Sequence, residues 1–397
     1  MRIIIISQYY YPEIGAASNR WTDYSRLLSR MGHEIIVICG IPNYPYGSIY
    51  KEYNKQKNKN DDFGVTVINT WLYISKKKNF LNRILSYATF MLSAIWTGLK
   101  LDKPDIYIVS SPPLFVGLSG VALSKIKNSP LLFDIRDLWP ESAISLGEIK
   151  TNINKKIGYF IQKIIYKNSN AFIVAVPNFK THLKNNKNSK NKIVLQLLNG
   201  VSDRSISKYK PLKKDNDKVT MIYAGTIGLA QDLEIIINAF SYLNKNIYIK
   251  IIGDGVNKNS IAKLADGNDR IEILSSMKKD DLIEEYIKSD IGIVTLRNLP
   301  IFKDALPSKT FEYMALGLAV LCIADGYLEK IINKYECGIC SKPGDLEMLL
   351  EKINSINIDT CKKMGRNGQE YVKNHMNKNL LIREFDSDLE SVINNYK

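Results

Sequence analysis

The feature that most constrains this chain is a repeated alternation of short β-branched runs with longer segments of helical spacing. Ile3–Ile6 is followed by helical periodicity over Ser18–Met31 and by a second apolar run at Glu34–Cys39. The unit returns at Val65–Asn69, Ile106–Ser110, Leu131–Asp134, Phe172–Val176 and Ile193–Leu197. Short runs that are apolar throughout belong to strands covered on both faces, which points to a parallel sheet flanked by helices. Crossovers between parallel strands are right-handed, so the expected fold class is α/β, doubly wound.

The alternation breaks once. Asn199-Gly200 ends one unit, and Ser202–Lys218 is polar, with Pro211 and a run of Lys and Asp, which reads as a linker. It then restarts at Val219–Ala224, Ile247–Ile252, Ile271–Leu274, Ile291–Leu296 and Ala319–Ile323, with helical segments between. Two similar α/β halves are therefore expected. The tail from Ile358 to Lys397 is helical and charged, has no strand left to pair with, and is expected to pack across the junction of the halves.

Charge separates the halves. Residues 1–200 hold 27 Lys and Arg against 12 Asp and Glu, while residues 201–397 hold 28 of each sign, so the formal charge of +15 belongs to the first half. A basic half beside a neutral one implies an anionic partner on one side only; nucleic acid, a membrane surface and a phosphorylated substrate all fit. A composition of 45% hydrophobic and 24% charged residues is that of a globular chain, not a disordered or fibrous one. Five scattered cysteines argue against a disulfide framework and for a reducing cytosol. Ile3–Ile6 is too short for a signal sequence, and no apolar run approaches the roughly 20 residues that span a bilayer. The most apolar helix, near Phe80–Leu99, follows Lys76-Lys77-Lys78. It fits either a half-buried helix of the first domain or a monotopic lipid contact with basic residues at the headgroups.

Ligands of doubly wound sheets bind outside the C-terminal ends of the strands. Five segments follow such ends. Tyr9 to Arg20 carries Glu13, Gly15, Asn19 and Arg20 before a helix start, where amides favour an anion; it lacks the G-x-G-x-x-G spacing of nicotinamide binders. Arg136-Asp137-Leu138-Trp139-Pro140-Glu141 places one cation and two carboxylates after another strand, as a site or as a structural pair. Tyr223-Ala224-Gly225-Thr226-Ile227-Gly228 and Ile252-Gly253-Asp254-Gly255 are glycine turns able to offer amides to a phosphate. Pro307-Ser308-Lys309 opens a helix with Ser308 as the expected N-cap. Lys309 opposes the helix dipole there unless an anion is present, and Glu312 lies on nearly the same face. A Lys and a Glu so placed can hold a phosphate and a pair of hydroxyls. No His/Cys cluster has metal spacing, and Asp215-x-Asp217, inside the lysine-rich linker, reads as solvated charge.

Together with Pro42-Asn43-Tyr44-Pro45, Asn199-Gly200-Val201 and Phe311-Glu312-Tyr313-Met314-Ala315, these segments resemble in order the GT-B glycosyltransferases of family four. The similarity is greatest to the WbuB-type branch of bacterial O-antigen and capsule clusters. The resemblance implies two Rossmann-like domains facing a cleft: residues 1–200 for the acceptor, 201–375 for a nucleotide-sugar, and a C-terminal helix, 376–397, packing back on the first domain. It implies transfer with retention from a UDP-sugar, with N-acetyl-L-fucosamine as the sugar. The acceptor would be a polyprenyl-diphosphate-linked saccharide at the cytoplasmic membrane face, with no metal or other cofactor and no nucleic acid. Glu312 matches the last Glu of the family's E-x7-E signature, which contacts the ribose, and Asp304 stands where its first Glu would be. The Arg and Lys that commonly hold the diphosphate are replaced by Thr226 and Gln231. Lys309 and the amides of Gly15, Gly225 and Thr226, helped by Arg297 or Arg136, would then carry that binding, with Gly253, Asp254 and Ser308 also on the donor side. Arg136, in place of a common His, would stabilise the leaving phosphate beside Asp137 and Glu141. Glu13, Asn19 and Arg20 would meet the acceptor. A UDP-sugar epimerase or hydrolase on the same fold and a basic nucleic-acid-binding protein are the alternative readings.

Overall fold

The computed structural model describes the chain except residues 14, 54–58, 78, 204–217, 245 and 397, and gives backbone alone for residues 16, 17, 59–61 and 301. Most of the expected linker, with Asp215 and Asp217, lies outside the described residues. The chain divides into two compact units, Met1–Asn199 with Leu381–Lys397, and Gly200–Leu380.

The first unit holds an eight-stranded sheet built from β1 (Arg2–Ile6), β2 (Glu34–Gly40), β3 (Lys59–Asp62), β4 (Val65–Thr70), β5 (Ile106–Ser111), β6 (Leu131–Ile135), β7 (Ala171–Val174) and β8 (Ile193–Gln196). Their order is β3-β4-β2-β1-β5-β6-β7-β8. All pairs are parallel except β3 with β4. Between the strands run α1 (Ala16–Arg30), α2 (Phe80–Leu99), α3 (Val116–Lys127), α4 (Glu141–Ser145), α5 (Asn152–Asn168) and α6 (Phe179–Asn185). One set of strand side chains, including Ile3, Ile5, Val37 and Ile108, packs with Trp21 and Leu28 of α1 and with Phe385 and Leu389 of the C-terminal helix. Each such buried side chain contributes about 1.5–3 kcal/mol. Toward the other face, α3 presses close because Gly117 and Gly120 carry no Cβ; one at Gly117 would overlap Ile165, and one at Gly120 would overlap Val109. Helix starts and ends are closed by side chains. Asn79 and Thr151 cap α2 and α5. Lys127 Nζ donates to the carbonyls of Leu99 and Leu101, both at 2.9 Å, satisfying acceptors left over at the end of α2.

The second unit holds β9 (Val219–Ala224), β10 (Ile247–Ile252), β11 (Ile271–Leu274), β12 (Ile291–Thr295), β13 (Ala319–Ile323) and β14 (Gly338–Ser341). The order is β11-β10-β9-β12-β13-β14, all parallel, the strand order of a nucleotide-binding sheet. Its helices are α7 (Glu234–Ala239), α8 (Lys258–Ala265), α9 (Lys279–Ile287), α10 (Ser308–Ala315), α11 (Tyr327–Lys334), α12 (Leu346–Asn354) and α13 (Ile358–His375). Gly292 of β12 leaves room for the Tyr313 ring of α10, which a Cβ there would strike at 2.2 Å.

The structure departs from the sequence reading in its edge strands and in where the tail returns to the first unit. β3 and β14 are edge strands that the apolar pattern does not reveal. The tail is two helices, α13 and Lys378–Tyr396. The return to the first unit begins at Leu381 and not at residue 376. The start of the last helix is tied to the second unit by Val201, whose amide donates to Met376 O at 2.7 Å and whose carbonyl accepts from Lys378 N at 3.0 Å.

Candidate active site

In the second unit, four segments meet at one end of the sheet. The turn after β9 and the turn after β10 interlock backbone to backbone: Ile227 N donates to Asp254 O at 3.0 Å, and a Cβ on Gly253 would lie 1.9 Å from Gly225 O. Glycine is required at that crossing because no side chain fits. The segment after β12 joins them through Arg297 N, which donates to Ala230 O at 2.9 Å. The start of α10 completes the group. Lys309 Nζ lies 3.8 Å from the centroid of the Tyr223 ring, and a Cβ on Gly225 would stand 2.9 Å from it.

Lys309 is thus a half-buried ammonium on an aromatic face beside the exposed Gly225-Thr226 backbone. Burial pulls it down to about 7, against the opposing attraction of Glu312 one turn on. Among the described residues it makes no ion pair. Tyr223 is fixed by its hydroxyl, which donates to Thr226 O at 2.5 Å, and the strand end by Tyr313, whose hydroxyl accepts from Ala224 N at 3.0 Å. An anion here would meet one cation and backbone amides, with Glu312 placed for hydroxyl groups.

The other expected donor residues divide. Ser308 is the first residue of α10, and the N-cap is Pro307 with no side-chain cap bond. The expected cap at Ser308 is therefore absent, because the helix begins one residue earlier than a serine cap requires. Asp254 is engaged internally: Oδ1 pairs with Lys258 Nζ at 2.7 Å and Oδ2 accepts from Ser276 N at 3.0 Å. The hydrogen bond from Lys258 helps hold its carboxyl down at about 2. Arg297 is exposed, and Asp304 ends a 3₁₀ turn, Pro300–Asp304, ahead of α10. Gln231, in place of a diphosphate-binding Lys, closes the glycine turn by accepting from Gly228 N at 3.2 Å.

In the first unit, Asp134 of β6 is wholly buried and takes bonds from Arg20 Nη2 at 2.9 Å, Trp21 Nε1 at 2.7 Å and Ser110 Oγ at 2.9 Å. Arg20 spends its remaining groups on Asp134 again and on Asn199 Oδ1 at 2.8 Å. Its side chain is 0% exposed, so the expected acceptor contact has no free nitrogen; Arg20 instead locks α1 to β6 and to the segment after β8. Arg136, two residues beyond Asp134, differs: Nε is buried without a hydrogen-bond partner among the described residues. Burial pulls this guanidinium down to about 10, with the like charge of Arg20 adding to the effect. Burial also raises the neighbouring Asp137. Glu141 accepts from Gln162 Nε2 at 3.2 Å on both oxygens.

Glu13 is 4% exposed. Its Oε1 accepts from the amides of Asn43 and Tyr44, both at 2.8 Å, while Oε2 is buried without a partner among the described residues. Burial pushes its carboxyl up to about 7 despite those amides. Gly15 precedes α1 with φ 151° and no side-chain cap, and Asn19 is exposed. Beside this loop is a cavity of about 320 Å³ lined by Tyr9, Tyr44, Tyr73, Tyr87, Asn82 and Arg83. Sequence reading named the segments holding Tyr9, Tyr44 and Tyr223 but gave these tyrosines no role, and it missed Tyr73 and Tyr87.

Residues 205–371 match the family described as glycosyl transferases group 1. The whole chain is 22% identical to WcaI of Escherichia coli (strain K12), assigned as a glycosyl transferase to colanic acid biosynthesis, over 98% of this chain and 100% of that one. Among solved structures, sucrose-phosphate synthase from Thermosynechococcus elongatus superposes with a TM-score of 0.78 at 15% identity, covering 99% of each chain. Anabaena HepE in complex with UDP-glucose gives 0.71 at 13% identity, over 98% of this chain and 100% of that one. WaaG, a glycosyltransferase involved in lipopolysaccharide biosynthesis, gives 0.68 at 12%, over 96% and 98%. The chain is a glycosyltransferase of the GT-B fold, and residues 205–371 of its second unit match the group 1 glycosyl transferase model.

Proposed function

We propose that this enzyme transfers a sugar, with retention, from a UDP-sugar to a polyprenyl-diphosphate-linked saccharide at the cytoplasmic membrane face during assembly of a bacterial surface polysaccharide. The observation that carries the donor half is Lys309, held over Tyr223 at the edge of the Gly225-Thr226 turn with no ion pair among the described residues. A diphosphate would supply a counter-charge to Lys309, and Glu312 an acceptor for ribose hydroxyls. HepE, solved with UDP-glucose, supports a uridine nucleotide as the donor class. No metal is needed in this reading, since Lys309 and the turn amides balance the diphosphate; turnover is expected to survive EDTA.

The acceptor half rests on the first unit. Arg136 offers an anionic group a guanidinium whose Nε has no partner among the described residues, and the tyrosine-lined cavity offers ring faces for a saccharide. WcaI in colanic acid biosynthesis and WaaG in lipopolysaccharide biosynthesis support a surface-polysaccharide role. The test is incubation with lipid-linked N-acetylhexosamine and a panel of UDP-sugars that includes UDP-N-acetyl-L-fucosamine. Elongated lipid-linked product with one donor supports the reading. Sugar isomerisation or release without acceptor, or no turnover with any donor, overturns it.

A further inference from the structure

Helices α2 and α5 share one face of the first unit with α3 between them. α3 is almost entirely covered, exposing only Lys125 and Ile126. Gly98 of α2 lets it close onto Leu123 of α3, and Gly117 of α3 lets it close onto Ile165 of α5. The outer surface of this layer is therefore α2 and α5. The N-terminal turn of α2 is tied to the segment before α5 by Arg83 and Glu148, which pair at 2.7 Å.

The side chains on that surface are the wrong kind for water. α2 buries Phe90, Ala94 and Gly98 inward. Its exposed positions are Phe80, Leu81, Leu85, Leu92 and Trp96, and none is polar. From Leu81 to Trp96 the spacings are four, seven and four, which puts them on one narrow stripe. Leu92 is 61% exposed and Trp96 65%. Trp71, also largely exposed, sits beside this stripe, its carbonyl accepting from Ser93 Oγ at 2.5 Å. α5 repeats the arrangement with Ile153, Ile157 and Phe160 exposed, interleaved with the exposed Lys156 and Lys163. Contiguous exposed apolar surface of this sort marks a docking site.

The charges around it select the partner. No Asp or Glu occurs between Asp62 and Asp102, the stretch that contains α2, or between Glu148 and Asp203, the stretch that contains α5. Lys76, Lys77, Lys100, Lys150, Lys156 and Lys163 border the apolar stripes and are exposed. Lys100 caps the stripe with its ammonium 4.9 Å from the Trp96 ring centroid. Two copies facing each other here would oppose lysine with lysine, with Glu148 already paired to Arg83, which disfavours self-association. Apolar stripes, tryptophans at the margin and a surround of lysines match the acyl boundary, interface and headgroups of an anionic bilayer. Among the described residues no helix is long and apolar enough to cross a membrane.

We infer that the outer surface of α2 and α5 is a two-helix docking face for an anionic lipid bilayer. The cavity that includes Asn82 and Arg83 lies at the first turn of α2, so docking would hold it near the headgroups. This inference deepens the proposal of a lipid-linked acceptor, but it is read from vesicle binding without substrate and so fails separately. The purified full chain is sedimented with vesicles of equal phosphatidylglycerol and phosphatidylcholine, and with pure phosphatidylcholine, at low and high salt. The variants are Leu92→Ser with Trp96→Ser, and Ile157→Ser with Phe160→Ser, each checked by circular dichroism melting. Binding is expected on anionic vesicles only, weakened by salt and reduced about tenfold or more by each pair of substitutions. Tryptophan emission is expected to shift to the blue on the same vesicles. Transfer to a short-chain, water-soluble acceptor should be unchanged in both variants. Equal partitioning onto both vesicle types, binding indifferent to the substitutions, or a dimer seen by light scattering that the substitutions dissolve would overturn the inference.

Discussion

Lys309 and Tyr223 form the pair on which the donor site turns: an ammonium 3.8 Å from the centre of a phenol ring, with no carboxylate in ion-pair contact among the described residues. The ring partly balances a charge that no described residue pairs. That arrangement is poised for an anionic ligand, and it has a pH signature. Burial lowers Lys309 to about 7, so the free protein loses this proton as pH rises through neutrality. A diphosphate favours the charged form. Donor binding above pH 8 is therefore expected to take up a proton, while at pH 6 it takes up almost none. Calorimetry in buffers of different ionisation enthalpy measures this directly. Affinity should fall by up to about tenfold per pH unit above the lysine's own value.

Tyr223 has two separable functions. Tyr223→Phe keeps the ring and loses the hydroxyl bond to Thr226 O, so donor KM should change little. Tyr223→Leu loses the aromatic face, a contact of about 0.5–2 kcal/mol, and donor KM should rise roughly 2- to 30-fold. Gly225→Ala should be worse than either, since its Cβ would stand 2.9 Å from Lys309 Nζ at a backbone φ of 141°. Steady-state kinetics at saturating acceptor separates the three.

Asp134 and Arg20 predict instability, not altered specificity. Both are wholly buried, and Asp134→Asn leaves Arg20 as an uncompensated charge at a cost of about 3–5 kcal/mol. Thermal melting should show a large loss, while the acceptor KM of whatever remains folded stays unchanged. A normal melting temperature with a raised acceptor KM would return Arg20 to the acceptor site.

Glu13 predicts a stability slope. Its carboxyl is raised to about 7 in the folded chain from an ordinary value near 4.5. Between those values the folded state holds a proton that the unfolded state has lost, so stability falls as pH rises across that window. Glu13→Gln keeps an oxygen for the amides of Asn43 and Tyr44 and removes the titration. Denaturant unfolding from pH 5 to pH 8 should therefore be flatter in the variant than in the parent.

Much of this architecture is legible in the sequence because central parallel strands must be apolar on both faces. Val219–Ala224, Ile247–Ile252 and Ala319–Ile323 have the bounds that their residues announce. Lys59–Asp62 and Gly338–Ser341 are not legible, because an edge strand has one neighbour and need not be apolar. The site is harder to read than the fold. Asp134 lies inside an otherwise apolar strand, and a buried charge announces a partner. Nothing local says that the partner is Arg20, far back in the chain. Tyr223 looks like one more strand residue until α10 brings Lys309 over its ring. The capping role expected of Ser308 fails for a local reason: Pro307 already occupies that position.

The most direct test of the central claim is a calorimetric titration of the full chain with UDP, repeated on Lys309→Ala and Glu312→Ala. The account predicts saturable binding to the parent, lost or weakened at least about tenfold in each variant, with melting curves unchanged. Absence of UDP binding to the parent, or equal affinity in all three proteins, would contradict it.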